Sequence, residues 1–148
     1  MKIADALMGV GRLYIETAPL IYYVEEHTEH IAQMDTVIAA VENQSIQAFS
    51  SVITLTEVLN QPMKTGNKNL EQEYRDILVN SGSYRLIAVN LQIAESAAGL
   101  RAHYGLRTPD ALHVASALYA TCDAFLTNDA QIRRVRELPI LVLDELDP

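Results

Sequence analysis

Short apolar runs alternate along the chain with longer segments whose apolar residues recur at helical spacing. The runs predict five strands, at 13–15, 46–49, 84–89, 123–127 and 140–143. The segments between them predict helices at 17–24, 31–41, 51–59, 70–78, 93–104 and 108–118, a short helix around Ile132 and Val135, and a loop at 62–69. Continuous apolar strands that alternate with helices favour an α/β domain, in which helices cover both faces of a parallel sheet.

Length and composition are those of one folded domain. The chain has 148 residues, 49% of them hydrophobic and 20% charged, and it has no repeats or low-complexity tracts. Residues 1–11 precede the first strand as an N-terminal extension of unknown role, so the expected domain covers 12–148. No apolar run approaches the roughly 18–20 residues of a membrane span, and the N-terminus is a poor signal peptide. The expected location is the cytoplasm.

Acidic residues outnumber basic ones. Eleven Lys and Arg residues against nineteen Asp and Glu residues give a net charge of −8. A protein that grips duplex DNA through its phosphates needs a basic face, and this balance argues against one. The acids are either scattered over solvated surface or gathered around divalent cations, and composition does not choose between the two.

Four acids lie at predicted strand ends or in the helices that follow, where open α/β sheets form their working face. Each also has a structural explanation. Glu16 suits a solvated strand-to-helix junction, and Glu57 suits the edge of an exposed helical stripe. Asp110 suits the first turn of a helix, where an acid stabilises the helix dipole, and Asp129 suits a helix cap.

Considered together, the four acids indicate a metal site. Carboxylates at one edge of a sheet repel one another unless a cation lies between them. Mg²⁺ and Mn²⁺ are the hard cations that carboxylates and water molecules suit. Such ions polarise phosphoryl oxygens and activate water. The spacing along the chain does not by itself place the four acids together in space.

Four segments resemble the sequence motifs of PIN-domain proteins, in the expected order. In the first motif an acid ends strand one and a hydroxyl residue follows, as Glu16 and Thr17 do here. The third and fourth motifs are the most specific. The resemblance extends from residue 12 to about 143, and its motifs lie at 13–23, 51–59, 108–117 and 122–129.

The resemblance implies a three-layer α/β/α sandwich with a central, mostly parallel five-stranded sheet. It also implies a Mg²⁺- or Mn²⁺-dependent endoribonuclease, frequently the toxin of a bacterial VapBC-type toxin–antitoxin pair. We therefore expect single-stranded RNA as substrate, a protein antitoxin as partner, and a homodimer. Carried over residue by residue, the metal-binding acids are Glu16, Glu57, Asp110 and Asp129, and Thr127 is a supporting hydroxyl near them.

One position departs from the family pattern, because Glu16 stands where Asp is usual. The longer side chain either shifts the metal or weakens its binding. The alternative function is a catalytically weakened PIN scaffold that binds RNA or a protein partner. Receiver-like signalling domains and aspartyl phosphatases are disfavoured, because the segment 16–18 has neither an acidic pair nor an Asp-x-Asp motif.

Three histidines invite functional interpretations. His113 lies three residues after Asp110, and it either packs beside the core or acts as a ligand or base. His27 and His30 lie in an acidic, polar stretch, which favours solvated surface for both.

Overall fold

A five-stranded parallel sheet forms the centre of the protein, for which a computed structural model describes residues 1–148. The strands are β1 Arg12–Ile15, β2 Gln47–Ser51, β3 Tyr84–Ile87, β4 Ala124–Thr127 and β5 Ile140–Val142. They lie in the order β3-β2-β1-β4-β5, and every neighbouring pair is parallel. The predicted α/β fold is confirmed. Because β1 is central, the residue that follows it lies between the carboxyl ends of β2 and β4.

Seven α-helices surround the sheet. They are α1 Ile3–Ala6, α2 Thr17–Val24, α3 Ile31–Glu42, α4 Val52–Thr65, α5 Lys68–Arg75, α6 Leu91–Tyr104 and α7 Thr108–Tyr119. A π-helical turn follows α5 at Asp76–Asn80, and 3₁₀ turns cover Ala130–Arg134 and Leu143–Glu145. No helix of the chain combines the length and the apolarity that crossing a bilayer requires.

The alternation of side chains along the strands divides the interior into two cores. Leu13 and Ile15 of β1 point to the face that α1 to α5 cover. Tyr14 points to the opposite face, which α6 and α7 cover, and its ring stacks on Phe125 of β4 with the ring centres 5.0 Å apart. The protein therefore has the three layers that the resemblance implies.

The prediction of a loop at 62–69 is wrong for most of its length. α4 continues to Thr65 with Pro62 inside it, and the break is confined to Gly66 and Asn67. Pro62 is buried in the last turn, where it removes the hydrogen bond that an N–H at this position would donate to the Val58 carbonyl without ending the helix. Gly66 ends the helix at φ 70°, and the Asn67 side chain then caps α5 by accepting from the Leu70 N–H.

Residues 1–11 pack against the domain through both side chains and backbone. Ile3 is fully buried in the core that α3 helps to form, and Leu7 is buried beside it. The backbone of this segment bonds the last residues of the chain, since the Ile3 N–H donates to the Asp147 carbonyl at 2.8 Å. The Gly11 N–H donates to the Asp123 carboxylate at 2.9 Å. These contacts give the segment a structural role that the sequence did not reveal.

This packing predicts that Ile3→Ala destabilises the protein. Truncating a buried isoleucine costs about 2–5 kcal/mol, because it removes apolar burial and leaves a cavity. Met8 is 77% exposed, so Met8→Ala in the same segment should change the free energy of unfolding very little. Denaturant unfolding of both variants measures the difference. Equal stabilities would contradict the placement of residues 1–11 in the core.

Candidate functional site

The candidate site begins where the central strands β1 and β4 end. Glu16 directly follows β1, and Thr127 is the last residue of β4. The Glu16 N–H donates to the Leu126 carbonyl at 3.0 Å, which extends the pairing of the two strands by one residue. The Thr127 hydroxyl donates to Glu16 Oε2. Both side chains are buried, so β1 and β4 together hold a carboxylate inside the edge of the sheet.

Burial makes the charge of Glu16 costly. It raises the pKa of the Glu16 carboxyl, the hydrogen bond from Thr127 and the nearby His113 partly oppose this, and the charges of Asp110 and Glu57 raise the pKa further. Two of the three other predicted acids therefore lie near enough to act on Glu16 by charge. A cation among these groups would relieve their repulsion.

Glu57 has the opposite environment. It lies in the second turn of α4, where the Thr17 hydroxyl donates to Glu57 Oε1 at 2.8 Å and His113 Nε2 lies 2.6 Å from the same oxygen. Partial burial raises the pKa of Glu57, but the hydrogen bond and charge of His113, with the bond from Thr17, outweigh it. The result is a pKa below the usual value, so this carboxylate is held in its charged form.

His113 connects Glu57 to the core. It is buried on α7, and its Nδ1 lies 2.6 Å from the hydroxyl oxygen of Tyr14. Burial raises the pKa of Tyr14 well above its usual value, so the phenol keeps its proton. His113 Nε2 carries the hydrogen that Glu57 accepts. The sequence indicated packing beside the core for His113, but nothing in it showed that Tyr14 and Glu57 lie on either side of the ring.

Asp110 and Asp129 complete the acidic edge. Asp110 is the third residue of α7 and is buried, with its carboxylate 3.1 Å from the guanidinium Nε of Arg107. The hydrogen bond and charge of Asp110 raise the pKa of Arg107, and the charges of Asp129 and Glu16 raise it further. Arg107, which the sequence did not single out, therefore acts by charge on all four acids, since it also lowers the pKa of Glu57.

Asp129 is also a cap, as its structural explanation expected. Its Oδ1 accepts from the Gln131 N–H at 2.9 Å, and its own N–H donates to the Thr127 hydroxyl oxygen at 3.0 Å. Thr127 therefore contacts both Glu16 and the backbone of Asp129. This double contact fixes the loop after β4 relative to the end of β1.

The four acids share one edge of the sheet, but no three of them have ligand atoms within 4.8 Å of one another. The group of three side chains that meets this distance lies elsewhere and consists of His27, Glu29 and His30. The acidic edge is therefore more open than a site in which protein atoms supply every ligand. Mg²⁺ keeps several water molecules and is commonly held by one or two carboxylates, so the donor set fits it.

Comparisons with known proteins agree with this architecture. A family model described as PIN domain matches residues 13–138. No curated protein sequence matches the chain significantly. Among solved structures, VapBC2 from Rickettsia felis, bound to a DNA fragment from its promoter, is 17% identical with a TM-score of 0.70, and the match covers 88% of this chain and 98% of that chain.

Two further structures have the same fold. A toxin–antitoxin complex from Klebsiella pneumoniae is 24% identical with a TM-score of 0.66, covering 88% of this chain and 96% of that chain. FitAcB from Neisseria gonorrhoeae is 15% identical with a TM-score of 0.69, covering 90% of this chain and 99% of that chain. At these identities the likeness is one of fold.

The opposite environments of Glu16 and Glu57 predict opposite effects of removing each charge from the metal-free protein at pH 7. Glu16→Gln should raise Tm, because the raised pKa means that the folded state disfavours this charge. Glu57→Gln should lower Tm, because the lowered pKa means that the folded state favours this one. In a domain of this size, a change of about 1 kcal/mol in the free energy of unfolding shifts Tm by about 2–4 °C.

Thermal melts in a chelator measure both effects, with the exposed Glu95→Gln on α6 as the control that should change little. The stability that the Glu57 charge supplies is present above the unfolded pKa and is lost as pH falls through the lower folded pKa. The difference between wild type and Glu57→Gln should therefore shrink in acid. Shifts of the same sign in the two variants at pH 7 would show that the two carboxylates do not have opposite environments.

Proposed function

The chain belongs to the PIN domain family, and from this premise we propose that it is a metal-dependent endoribonuclease that cleaves single-stranded RNA. We further propose that it is the toxin of a VapBC-type toxin–antitoxin pair. The observation that carries the nuclease proposal is the burial of Glu16 beside the charges of Asp110 and Glu57. Burying one carboxylate among others costs stability, and a bound cation offsets this cost.

The four acids fit Mg²⁺ or Mn²⁺ by the chemistry of their donor set. We propose that Glu16, Glu57, Asp110 and Asp129 hold the ion directly or through water, since all are oxygen donors at one edge of the sheet. The bound ion would polarise a phosphoryl oxygen of the RNA and activate water for attack on phosphorus.

The remaining residues of the site orient and balance these carboxylates. Thr127 holds Glu16 and the backbone of Asp129, while His113 and Thr17 hold Glu57. The Arg107 side chain is 78% exposed and pairs with Asp110. We propose that this guanidinium turns to an RNA phosphate when a metal ion takes over the neutralisation of Asp110.

The net charge bears on the substrate. A chain at −8 has little basic surface for a long duplex, whereas a short single-stranded segment needs only a few cationic or stacking contacts beside the metal. This is why we propose single-stranded RNA rather than duplex DNA.

Partners follow from the similar structures. The Klebsiella pneumoniae structure is by name a toxin–antitoxin complex, and it matches 88% of this chain. We therefore propose a protein antitoxin as the partner of this chain. The homodimer and the cytoplasmic location stay predictions of the sequence.

The alternative is a PIN scaffold that binds RNA or a protein partner without cleaving RNA. It differs from the nuclease in the role of Glu16, which would then be an inherited acid that no longer places the metal. The buried contact between Glu16 and Thr127 favours the nuclease, because it holds the longer side chain in a defined position.

RNA cleavage by the purified chain tests the proposal. With millimolar Mn²⁺ we expect cleavage of single-stranded RNA in preference to duplex DNA, and a rate that falls as salt rises. Asp110→Asn should slow cleavage by about 10²-fold or more, because it removes charge that acts in the transition state. Asp35→Asn is the matched control, since Asp35 is exposed on α3 away from the acidic edge. RNA binding without metal-dependent cleavage would favour the scaffold, and preferential cleavage of duplex DNA would refute the substrate.

Glu16→Asp tests whether this chain is adapted to the longer acid. Removing one methylene shortens the arm by about 1.5 Å and withdraws the carboxylate from the Thr127 hydroxyl. Displacements of this size cost about 10²-fold in rate, so Glu16→Asp should weaken Mn²⁺ binding and slow cleavage although Asp is the usual family residue. Glu16→Gln should abolish metal-dependent cleavage, and Glu95→Asp serves as the control. Faster cleavage by Glu16→Asp would show instead that Glu16 impairs the active site relative to the usual Asp.

A further inference from the structure

Three side chains with metal-binding atoms gather on the turn between α2 and α3. One ligand atom from each of His27, Glu29 and His30 lies within 4.8 Å of the other two. Backbone hydrogen bonds hold the turn. The His27 N–H donates to the Tyr22 carbonyl at 2.8 Å, and the His27 carbonyl accepts from the N–H groups of His30 and Ile31 at 3.0 and 2.8 Å. The cluster therefore rests on an ordered backbone.

His30 is not on the surface, which corrects the prediction from the sequence. Only 6% of it is exposed, whereas His27 is exposed as predicted. Tyr22 packs over both imidazoles, with its ring centre 4.6 Å from each of theirs. The acidic neighbours of His30 concealed this packing, because the sequence does not show that the turn folds back over Tyr22.

Gln33 determines which nitrogen of His30 carries the hydrogen. Gln33 Nε2 donates to the carbonyls of Leu143 and Leu146, so Oε1 is free to accept. That oxygen lies 3.0 Å from His30 Nδ1, which must therefore donate to it. The lone pair of the neutral ring is left on Nε2. Imidazoles that bind metals in proteins commonly donate their other N–H to an oxygen in this way.

A carboxylate faces that lone pair. Asp144 Oδ1 lies 3.2 Å from His30 Nε2, and the Asp144 side chain is 64% exposed. Two ligands of a tetrahedral zinc ion are about 3.4 Å apart, because each bond is about 2.0–2.1 Å long. A cation between this lone pair and this carboxylate would bind both, because the Asn128 amide nitrogen reaches Nε2 only at 3.4 Å, which is long for a hydrogen bond.

The two imidazoles lie close enough to share an ion after His27 rotates. The centres of the His27 and His30 rings are 5.2 Å apart and the rings are stacked, their planes differing by 11°. A metal ion lies in the plane of each ligand ring, so His27 must turn out of this stack to reach an ion bound by His30. Two imidazoles on one tetrahedral zinc have ring centres about 5 Å apart, because each centre lies about 3 Å from the ion. His27 and Glu29 are exposed, so their side chains can move the remaining distance towards the fixed His30.

We propose that His27, Glu29 and His30 bind one Zn²⁺ ion, with Asp144 or a water molecule as the fourth ligand. Imidazole nitrogens favour zinc and similar transition metals, whereas the all-oxygen acidic edge favours Mg²⁺ or Mn²⁺. With Asp144 as the fourth ligand, the ion would join the turn between α2 and α3 to the segment after β5. The proposal does not depend on nuclease activity.

Calorimetric titration of the chelator-treated full chain with Zn²⁺ tests the proposal. Asp110→Asn with Glu57→Gln is the background, because it removes the charge of two of the four acids that could hold zinc at the acidic edge. We expect one Zn²⁺ per chain, a higher Tm with zinc, and little response to equal Mg²⁺. Adding His27→Ala should weaken zinc binding at least about tenfold, since even residues behind a metal ligand matter by about 10–100-fold. His103→Ala, an exposed histidine on α6, is the matched control.

Every outcome decides the question. His27 and Glu29 are exposed, so His27→Ala and Glu29→Gln should fold, and melting curves without metal check this. Zinc affinity that neither variant changes would overturn the proposal. Loss of zinc binding in the double variant Asp110→Asn with Glu57→Gln, before His27 or Glu29 is changed, would also overturn it. The latter result would place the zinc at the acidic edge. Absence of any zinc response would also overturn the proposal. None of these measurements uses RNA, so a failed cleavage assay has no bearing on them.

Discussion

The burial of the Glu16 carboxylate between the ends of β1 and β4 is the constraint on which the rest of the site depends. Parallel strands present all their carboxyl ends at one edge, so residues after different strands converge there whatever their distance in sequence. Glu16 occupies the central position of that edge and receives the Thr127 hydroxyl. Burial and the neighbouring acids disfavour its charge, so the carboxylates of the metal-free edge repel one another.

Glu57 shows how the same fold treats a second acid in the opposite way. Its carboxylate is fixed by His113, which is fixed in turn by Tyr14 from the central strand. Because Tyr14 also stacks on Phe125, the orientation of a half-exposed acid depends on the packing of the core that α6 and α7 cover. The fold therefore gives the two acids opposite electrostatic environments. Glu16 is held in a place where charge is costly, and Glu57 is held charged and aligned.

Much of this arrangement could be predicted from the sequence, because the positions of the strands and helices follow from local hydrophobic patterns. Glu16 and Thr127 could be placed at strand ends, and Asp110 in the first turn of its helix. Contacts between distant side chains could not be predicted. The ring of His113 bonds residues 99 and 56 positions away, and no local pattern encodes such partners. Pro62 was misjudged for a related reason, since its tolerance in a helix depends on burial that only the folded chain supplies.

The pairing of β1 with β4 has a consequence for the order in which the protein is made. Glu16 and its partner Thr127 are 111 positions apart in the sequence, so the contact cannot form until residue 127 has been synthesised. A chain emerging from the ribosome carries Glu16, Glu57 and Asp110 before it carries the strand that holds Glu16 in place. If the edge is the centre of a nuclease, translation itself delays its assembly. The ribosome would then have to add β4 before the polypeptide becomes able to act on RNA.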